Sequence, residues 1–329
     1  MNTTRLPWPR QCRAAAQRGA ALLLAMIIVA LVATITAAMV WQQERAVAIE
    51  AAERARGQGS WILNGALDWA RLILREDLRG NQQRSSPHDS LGEPWAQPLA
   101  EARLSSFLAA DKDNNADSGP EAFISGAIED AQSRFNLRAL VDDAGKPVKV
   151  QVDALQRLCD LAGAPSDAAA LIAQALGEVQ GGSTDNPDGA PLRPSRWEDM
   201  AWLGLDPATL QRLEPYADLL PVATPVNLNT ASREVIVAAI DGIDLGSAER
   251  LLQARQRKPF ETLEAAKTLL PPDTVLEPNR VSVGSSHFYV AGRLRLEDRV
   301  LEERSLLVRR DGRVDVLRRE RRSFSAPQR

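Results

Sequence analysis

Few side chains in this sequence are spaced to do chemistry. The histidines are His88 and His287, far apart and without a cysteine nearby, and the cysteines are Cys12 and Cys159. Zinc takes about four ligands from His, Cys and carboxylates at short spacing. A nucleophile needs a base within hydrogen-bond reach and a third group to orient it. Neither pattern is present, and no glycine-rich phosphate loop is present. Cys159, on an apolar helical stretch, reads as an inert buried thiol. Oxygen ligands are the better prospect. Between Asp111 and Gly119, side-chain oxygens alternate as at the start of a calcium loop, but Ala116 stands where the glycine belongs and Ala122 where the bidentate glutamate belongs. An Asx-rich turn accounts for that segment better. A second loop, Gly181 to Gly189, holds Asp185 and Asp188 and reads as plain solvent-facing chain.

The elements that carry these groups begin with a segment unlike the rest. The 329 residues carry a net charge of −3, with 44% hydrophobic and 25% charged residues, which excludes collagen, a disulfide scaffold and a wholly disordered chain. Arg5, Arg10, Arg13 and Arg18 face no acid before Gly19, and Gly19 to Gln43 carries no charge at all. Residues 20–40 are long enough to span a bilayer. The arginines before them, and Glu44, Glu50 and Glu53 after them, direct the amino end to the cytoplasm and the bulk of the chain across. A secretory signal has a shorter apolar run and a small-residue cut after it. Here a helical pattern continues instead, with Ile62, Ala66, Trp69, Ala70 and Ile73 on one stripe, to an end near Arg79. Gly57 and Gly59 would bend this helix or let another approach it.

The junction Gln17-Arg18-Gly19-Ala20-Ala21-Leu22 places a short basic leader, ending in glycine, directly before the apolar helix. It resembles the processing site of type IV pilins and type II secretion pseudopilins. The resemblance implies that a prepilin peptidase cuts between Gly19 and Ala20 and that Ala20 is N-methylated. It also implies that the apolar helix stays in the mature protein and packs against neighbouring helices in a filament. Most of that family has a glutamate at the fifth mature position, which offsets the buried amino terminus of a neighbour; here the position is Leu24. That departure is a mark of the K-type minor pseudopilin, thought to cap the tip.

Further along, residues 81–98, with Pro87, Pro94 and Pro98, read as a loop, and residues 99–109 as a short helix. Phe123 to Ile128 allows a strand. The stretch Ile128 to Leu140, with Asp130, Arg134, Phe135, Asn136 and Leu137, resembles a K-type signature; in itself it reads as a junction anchored by Phe135 and Leu137. Residues 151–177 are helical in pattern. Ser195 reads as the cap of a helix opened by Arg196 and Trp197, and Asp206-Pro207 as N-cap and first residue of the next. Pro225 to Phe260 reads as helix, hairpin, helix, with Thr230 capping the first helix and Gly242 making the turn. It resembles the helix-hairpin-helix unit of DNA-binding proteins, including membrane-anchored DNA-uptake receptors. Such hairpins hold phosphate with backbone N–H groups and glycines. Here Asp244 replaces the second glycine and Asp241 precedes the first, and residues 224–270 carry six acids against six bases. DNA affinity depends on net positive surface, so no nucleic acid is expected.

The last part changes period. His287 to Leu296 and Val300 to Arg309 alternate, Arg310-Asp-Gly-Arg313 is a hairpin signal, and residues 320–329 are expected to fray. From Arg293 to Arg329 there are 12 arginines against seven acids, which suits a sheet with arginines on its solvated face.

The resemblance to K-type pseudopilins covers nearly the whole chain. It implies an α+β fold, with a transmembrane helix and an antiparallel sheet interrupted by a large helical insert that holds a degenerate helix-hairpin-helix (SAM-like) unit. The expected divisions are 1–19 (leader), 20–41 (transmembrane helix), 42–79 (periplasmic continuation), 80–136 (loop and first strand), 137–280 (insert, with the hairpin unit at 225–270) and 281–329 (closing strands). The implied role is a structural subunit, not an enzyme, at the tip of the pseudopilus. There it initiates or caps assembly and supports export of folded proteins across the outer membrane. The implied partners are I-, J- and H-type minor pseudopilins, the peptidase, the inner-membrane secretion platform and exported proteins. Calcium is the one cofactor implied, since the family has an acidic calcium-binding segment that is shortened here to Glu178, Asp185 and Asp188, fewer than the roughly six to eight oxygens the ion wants. The implied site is a single-pass inner-membrane protein with a periplasmic body. The rival is a membrane-anchored DNA receptor. Loss of the leader's four arginines leaves a working charge of −7, which weighs against it.

Overall fold

A computed structural model of the chain describes residues 16–83, 86–104, 122–181, 192–296 and 299–325. The chain divides into two units, residues 1–60 and 61–329, and helix α1 (Ala16–Gln83) contributes to both. In the first unit, every side chain from Ala20 to Glu50 is exposed, and the helix is long and apolar enough to cross a membrane. Its hydroxyls are satisfied internally: Thr34 Oγ1 donates to the Leu31 carbonyl at 2.9 Å and Thr36 Oγ1 to that of Val32 at 2.8 Å. No hydroxyl there needs water, as a lipid-facing helix requires.

In the second unit, α1 buries Leu63, Leu67, Ala70 and Leu74, one ridge at helical spacing. This ridge is rotated from the stripe read in the sequence, since Trp69 is half exposed and Ile62, Ala66 and Ile73 are only half buried. Apolar residues occupy more than half of the helix circumference here, so periodicity alone does not choose the buried side. The leucine side is chosen because it fits the sheet: a Cβ on Gly292 would lie 3.2 Å from Leu63 Cδ2. The helix also runs to Gln83, past the expected end at Arg79, because its last turn is held by buried Asn81, whose Nδ2 donates to Asp89 Oδ1 at 3.2 Å.

A 3₁₀ turn, Pro94–Ala96, precedes β1 (Leu99–Arg103) and β2 (Ala122–Asp130). Residues 99–103 are therefore a strand, where the sequence reads as a helix. Leu-Ala-Glu-Ala-Arg has helical propensity, and pairing along β2 overrides it. The insert follows, with β3 (Phe135–Asn136), α2 (Lys149–Ala162), α3 (Ala168–Gln180), a 3₁₀ helix (Trp197–Leu203), α4 (Pro207–Leu213), β4 (Ala217–Asp218), β5 (Val226–Asn227), α5 (Arg233–Ala239), α6 (Leu245–Arg257), α7 (Leu263–Lys267) and β6 (Val281–Ser282). Three long strands close the chain: β7 (His287–Leu296), β8 (Arg299–Arg310) and β9 (Arg313–Ser325). The sheet order is β1-β2-β7-β8-β9, antiparallel throughout. The β8–β9 turn has Asp311 at φ 50° and Gly312 at φ 73°, the paired left-handed residues that a tight hairpin demands. Residues 320–325 do not fray, because each pairs along β8.

The chain builds two kinds of core. One gathers insert residues from Phe135 to Val281, including Leu155, Leu158, Ile172, Leu213, Leu228, Ile236 and Leu251, all essentially inaccessible. The other lies between α1 and the sheet, where Leu67 and Leu74 pack with Trp95, Phe288 and Leu307, and Trp95 meets Phe288 edge-on with ring centroids 5.2 Å apart. Phe135 and Leu137 anchor the insert as expected. Cys159 is fully buried, and desolvation pushes its thiol up to about 11.

Candidate functional site

The Ile128–Leu140 stretch meets the Asn227–Thr230 segment and Ser285 at one buried carboxylate. Asp130, at the end of β2, accepts from the backbone N–H of Gln132 (2.8 Å), Asn227 Nδ2 (3.0 Å), Thr230 Oγ1 (2.6 Å) and Ser285 Oγ (2.6 Å). None of these donors is charged. Burial raises its pKa, and the hydrogen bonds from Ser285, Thr230 and Gln132 oppose that shift. Thr230 is thus engaged across the chain and does not cap α5; Ser232 does so, accepting from the Val235 N–H at 3.4 Å.

Two asparagines make matching clamps. Asn136 donates to the Val222 carbonyl (2.7 Å) and accepts from the N–H groups of Leu220 (3.2 Å) and Arg138 (3.0 Å). Asn229 exchanges two bonds with the Phe260 backbone, at 2.8 and 2.9 Å. Ser195 likewise differs from its expected role: its N–H and hydroxyl both donate to Asp199 Oδ2 at 3.0 Å, and the helix beyond it is 3₁₀ without a side-chain cap.

Ser285 links this hub to an ionic cluster, for its N–H donates to Asp89 Oδ2 at 2.7 Å. Arg309 on β8 is 6% exposed and donates to Asp77 of α1 (2.5 Å), Asp89 (2.5 Å) and the Ser285 carbonyl (2.9 Å), with its guanidinium 4.9 Å from the Phe288 ring centroid. Oxygens of Asp77, Asp89 and Glu93 lie within 4.8 Å of one another, an arrangement that resembles a metal site, but the Arg309 guanidinium already serves two of them. Asp77 is pushed up to about 6, first by burial and then by the charge of Glu93, with Arg309 opposing.

A carboxyl whose folded pKa lies above its unfolded value of 3.8 binds more protons folded than unfolded. Its contribution to stability is therefore full below about pH 4 and is lost as pH rises through about 6. Going from pH 7 to pH 5 is expected to stabilise the chain through Asp77 by roughly 1–2 kcal/mol, allowing for solvent screening. Asp77→Asn should flatten that slope in denaturant melts; an unchanged slope would remove Asp77 as its source.

The α5–α6 connection has its tight turn at Gly242, φ 77°. Its carboxylates have work inside the chain. Asp241 takes Arg280 (2.5 and 3.0 Å) and Arg157 (2.5 Å), and the Arg280 hydrogen bond chiefly holds its pKa down. Asp244 caps α6 through the Ser247 N–H at 2.7 Å, and hydrogen bonds from the Ser247 side chain and then its backbone hold the Asp244 pKa down. Arg255 is turned inward to the carbonyls of Leu228 and Ala231, both at 2.7 Å. Two fixed carboxylates and an inward arginine leave the turn poorly suited to phosphate.

Of the residues singled out for function, Gly19 and Ala20 lie in the first turns of α1, and Leu24 is 60% exposed. Glu178 lies on α3 and accepts from Gln174 Nε2 of the same helix at 2.9 Å. Asp185 and Asp188, like the Asp111–Gly119 segment and Cys12, lie outside the described residues. Sequence reading missed Asp130 and Arg309 as organising groups. Their one local signal was an acid ending a strand and an arginine at an inward-facing position of another.

Residues 133–222 and residues 226–284 match two family models, both described as type II secretion system (T2SS), protein K. The chain is 29% identical over 327 residues to type II secretion system protein K of Pseudomonas aeruginosa, covering 92% of each protein. It is 28% identical over 334 residues to the protein of that name from Pectobacterium carotovorum, covering 92% of this chain and 96% of the other. Its fold is similar to a chain in the crystal structure of the GspK-GspI-GspJ complex of the enterotoxigenic Escherichia coli type 2 secretion system. That match has a TM-score of 0.59 and 20% identity, and covers 82% of this chain and 98% of that one.

Proposed function

The chain belongs to the protein K family of the type II secretion system, and from that premise we propose that it is the minor pseudopilin placed at the tip of the pseudopilus. The observation that carries this reading is the extent of the likeness: it runs along 92% of this chain and 92% of its Pseudomonas relative, so it spans far more than a single motif. The family is one of structural secretion subunits, and the chain's buried polar groups hold elements together. Ser286 Oγ lies 2.9 Å from His287 Nδ1, but the same hydroxyl lies 2.9 Å from Gln132 Oε1, so the pair serves packing and the chain is read as a non-enzyme.

In this reading the leader is residues 1–19, and the peptidase cuts between Gly19 and Ala20. The exposed apolar helix first anchors the chain in the inner membrane, with its body in the periplasm, and then packs against other subunits. Leu24 removes the acidic group that a subunit stacked beyond this one would need for its amino terminus, which suits an end position. The partners are I-, J- and H-type minor pseudopilins, in keeping with the assembly in which the GspK chain was crystallised. The insert, residues 137–280, is the part that distinguishes this subunit. Calcium would draw on Glu178, Asp185 and Asp188; Glu178 alone of these is described, bonded to its own helix. Asp241 and Asp244, both engaged within the chain at the α5–α6 turn, count against a DNA receptor.

The test is deletion of the gene and complementation. Export of the secreted proteins should stop, with the proteins held in the periplasm. The wild-type chain should restore export and Gly19→Val should not. Unimpaired export in the deletion strain would overturn the reading.

A further inference from the structure

We propose that the space between α1 and the sheet at Gly126 and Gly292 is a binding site for a single-chain aliphatic alcohol. It lies wholly within residues 61–329 and goes beyond the role proposed above. Packing between α1 and the sheet is not continuous. One cluster holds Leu63, Ile124 and Leu294, and a second holds Leu67, Val290 and Leu307. Between them Gly126 pairs with Gly292, and Gly292 with Glu303. There the two clusters part around a cavity of about 240 Å³.

The strands cannot close this space themselves. A Cβ on Gly126 would lie 2.8 Å from the Ala291 carbonyl oxygen, and one on Gly292 would lie 3.2 Å from Leu63 Cδ2. Between its leucines, α1 adds only the short side chains of Ala66 and Ala70. A void in a packed core is a standing cost, which a ligand of the right shape offsets by binding the folded state alone.

Size and lining choose the ligand. Ile73, Trp95, Ile128 and Val290 make the walls apolar, so water finds few partners there. An apolar cavity of about 150 Å³ takes benzene, and by proportion 240 Å³ takes roughly eight to ten carbon atoms. That suits one chain and falls below the roughly 300 Å³ at which sites for larger ligands begin. The way in runs beside exposed Pro98 and half-buried Leu99, at the start of edge strand β1.

The inner end is polar and sets the head group. Glu303 and Ser305 line it, at 5% and 0% exposure. Glu303 Oε2 accepts from Arg321 Nε at 2.5 Å. Glu303 Oε1 has Ser305 Oγ at 3.4 Å, beyond the roughly 2.5–3.0 Å of a good O–H···O bond. A ligand hydroxyl between them donates to the carboxylate and accepts from the serine. A carboxylate head brings no donor and meets the Glu303 charge.

The experiment uses the full-length chain in digitonin, which has no aliphatic tail to compete, and an octanol with a diazirine in its chain. On irradiation the diazirine loses dinitrogen, and the carbene inserts into a neighbouring C–H or O–H bond. Label is expected in peptides spanning residues 63–73 and 124–128. Excess 1-octanol should lower that label at least about fivefold, and octanoate should compete at least about fivefold more weakly. Ala66→Leu, which fills the space, should abolish the label and melt no lower than the wild type. Ser305→Ala should weaken octanol competition by about three- to tenfold.

Label confined to the apolar run Ala20 to Val40 would overturn the inference. So would label at both cavity peptides that persists in an Ala66→Leu chain melting as the wild type does. Equal competition by octanoate and octanol would overturn the assigned head group. Should Ala66→Leu melt lower, Ser305→Ala decides, and undiminished octanol competition there would overturn the site. Each of these outcomes leaves the family role standing.

Discussion

Arg309→Met is expected to destabilise the chain by about 3–5 kcal/mol. The substitution keeps much of the apolar bulk against Phe288 and removes the fork that reaches Asp77 and Asp89 at 2.5 Å each. Both carboxylates are buried, with side-chain exposures of 10% and 4%, and would be left without that guanidinium. Removing one member of a buried ionic group costs far more than the group contributes as a whole, because the uncompensated charge stays behind. The cluster also joins α1, the segment at Asp89 and β8, so the loss should appear as a cooperative drop in the unfolding midpoint of the full chain in detergent. Arg310, the next residue on β8, is exposed, and Arg310→Met should change stability by no more than about 0.5 kcal/mol. Adding Asp77→Asn and Asp89→Asn to Arg309→Met should recover part of the loss. A cost under about 1 kcal/mol for Arg309→Met would mean that the cluster is solvated and holds little.

Asp130→Ala should be comparably severe, at about 3–5 kcal/mol. It strands the N–H of Gln132, the amide of Asn227 and the hydroxyls of Thr230 and Ser285, each in a buried or nearly buried position. Each orphaned donor costs about 1–3 kcal/mol. Asp130→Asn should be milder, since one oxygen still accepts, and Thr230→Val milder again at about 1 kcal/mol. The readout that separates this hub from ordinary packing is hydrogen exchange. Residues 226–231 should lose protection in Thr230→Val before the α1–sheet core does. Uniform loss across the chain would show that the hub has no local role.

These two residues mark where sequence reading reaches its limit. Local signals were legible because their physics is local: an uncharged membrane-length run, a proline after an aspartate at Asp206-Pro207, a glycine at Gly242 and the turn between Arg310 and Arg313 all appear where expected. Asp130 was visible only as part of a familiar stretch, without a chemical reason. Its partners are 97, 100 and 155 residues away, and no window of sequence shows them. In sequence Arg309 falls among the arginines of a solvated face, because alternation tells which side a residue takes and not which side is wet. Spacing makes caps of Thr230 and Ser195, while long-range or reversed hydrogen bonds claim them in the fold. Residues 99–103 read as helix because their propensity is local, and it is outweighed by a sheet edge that forms only when β2 lies beside them.

The processing site has no such geometric support. Gly19 and Ala20 lie within α1. The claim that this chain enters a pseudopilus nevertheless depends on that cut, because only a helix released from its basic leader can leave the bilayer and pack in a filament. Mass spectrometry of the mature amino terminus, on the full chain purified from its native membrane, tests it directly. The expected chain begins at Ala20 with an N-methyl group and lacks the leader through Gly19. An intact Met1, or a chain cut after residue 38 so that the apolar helix is discarded, would contradict it.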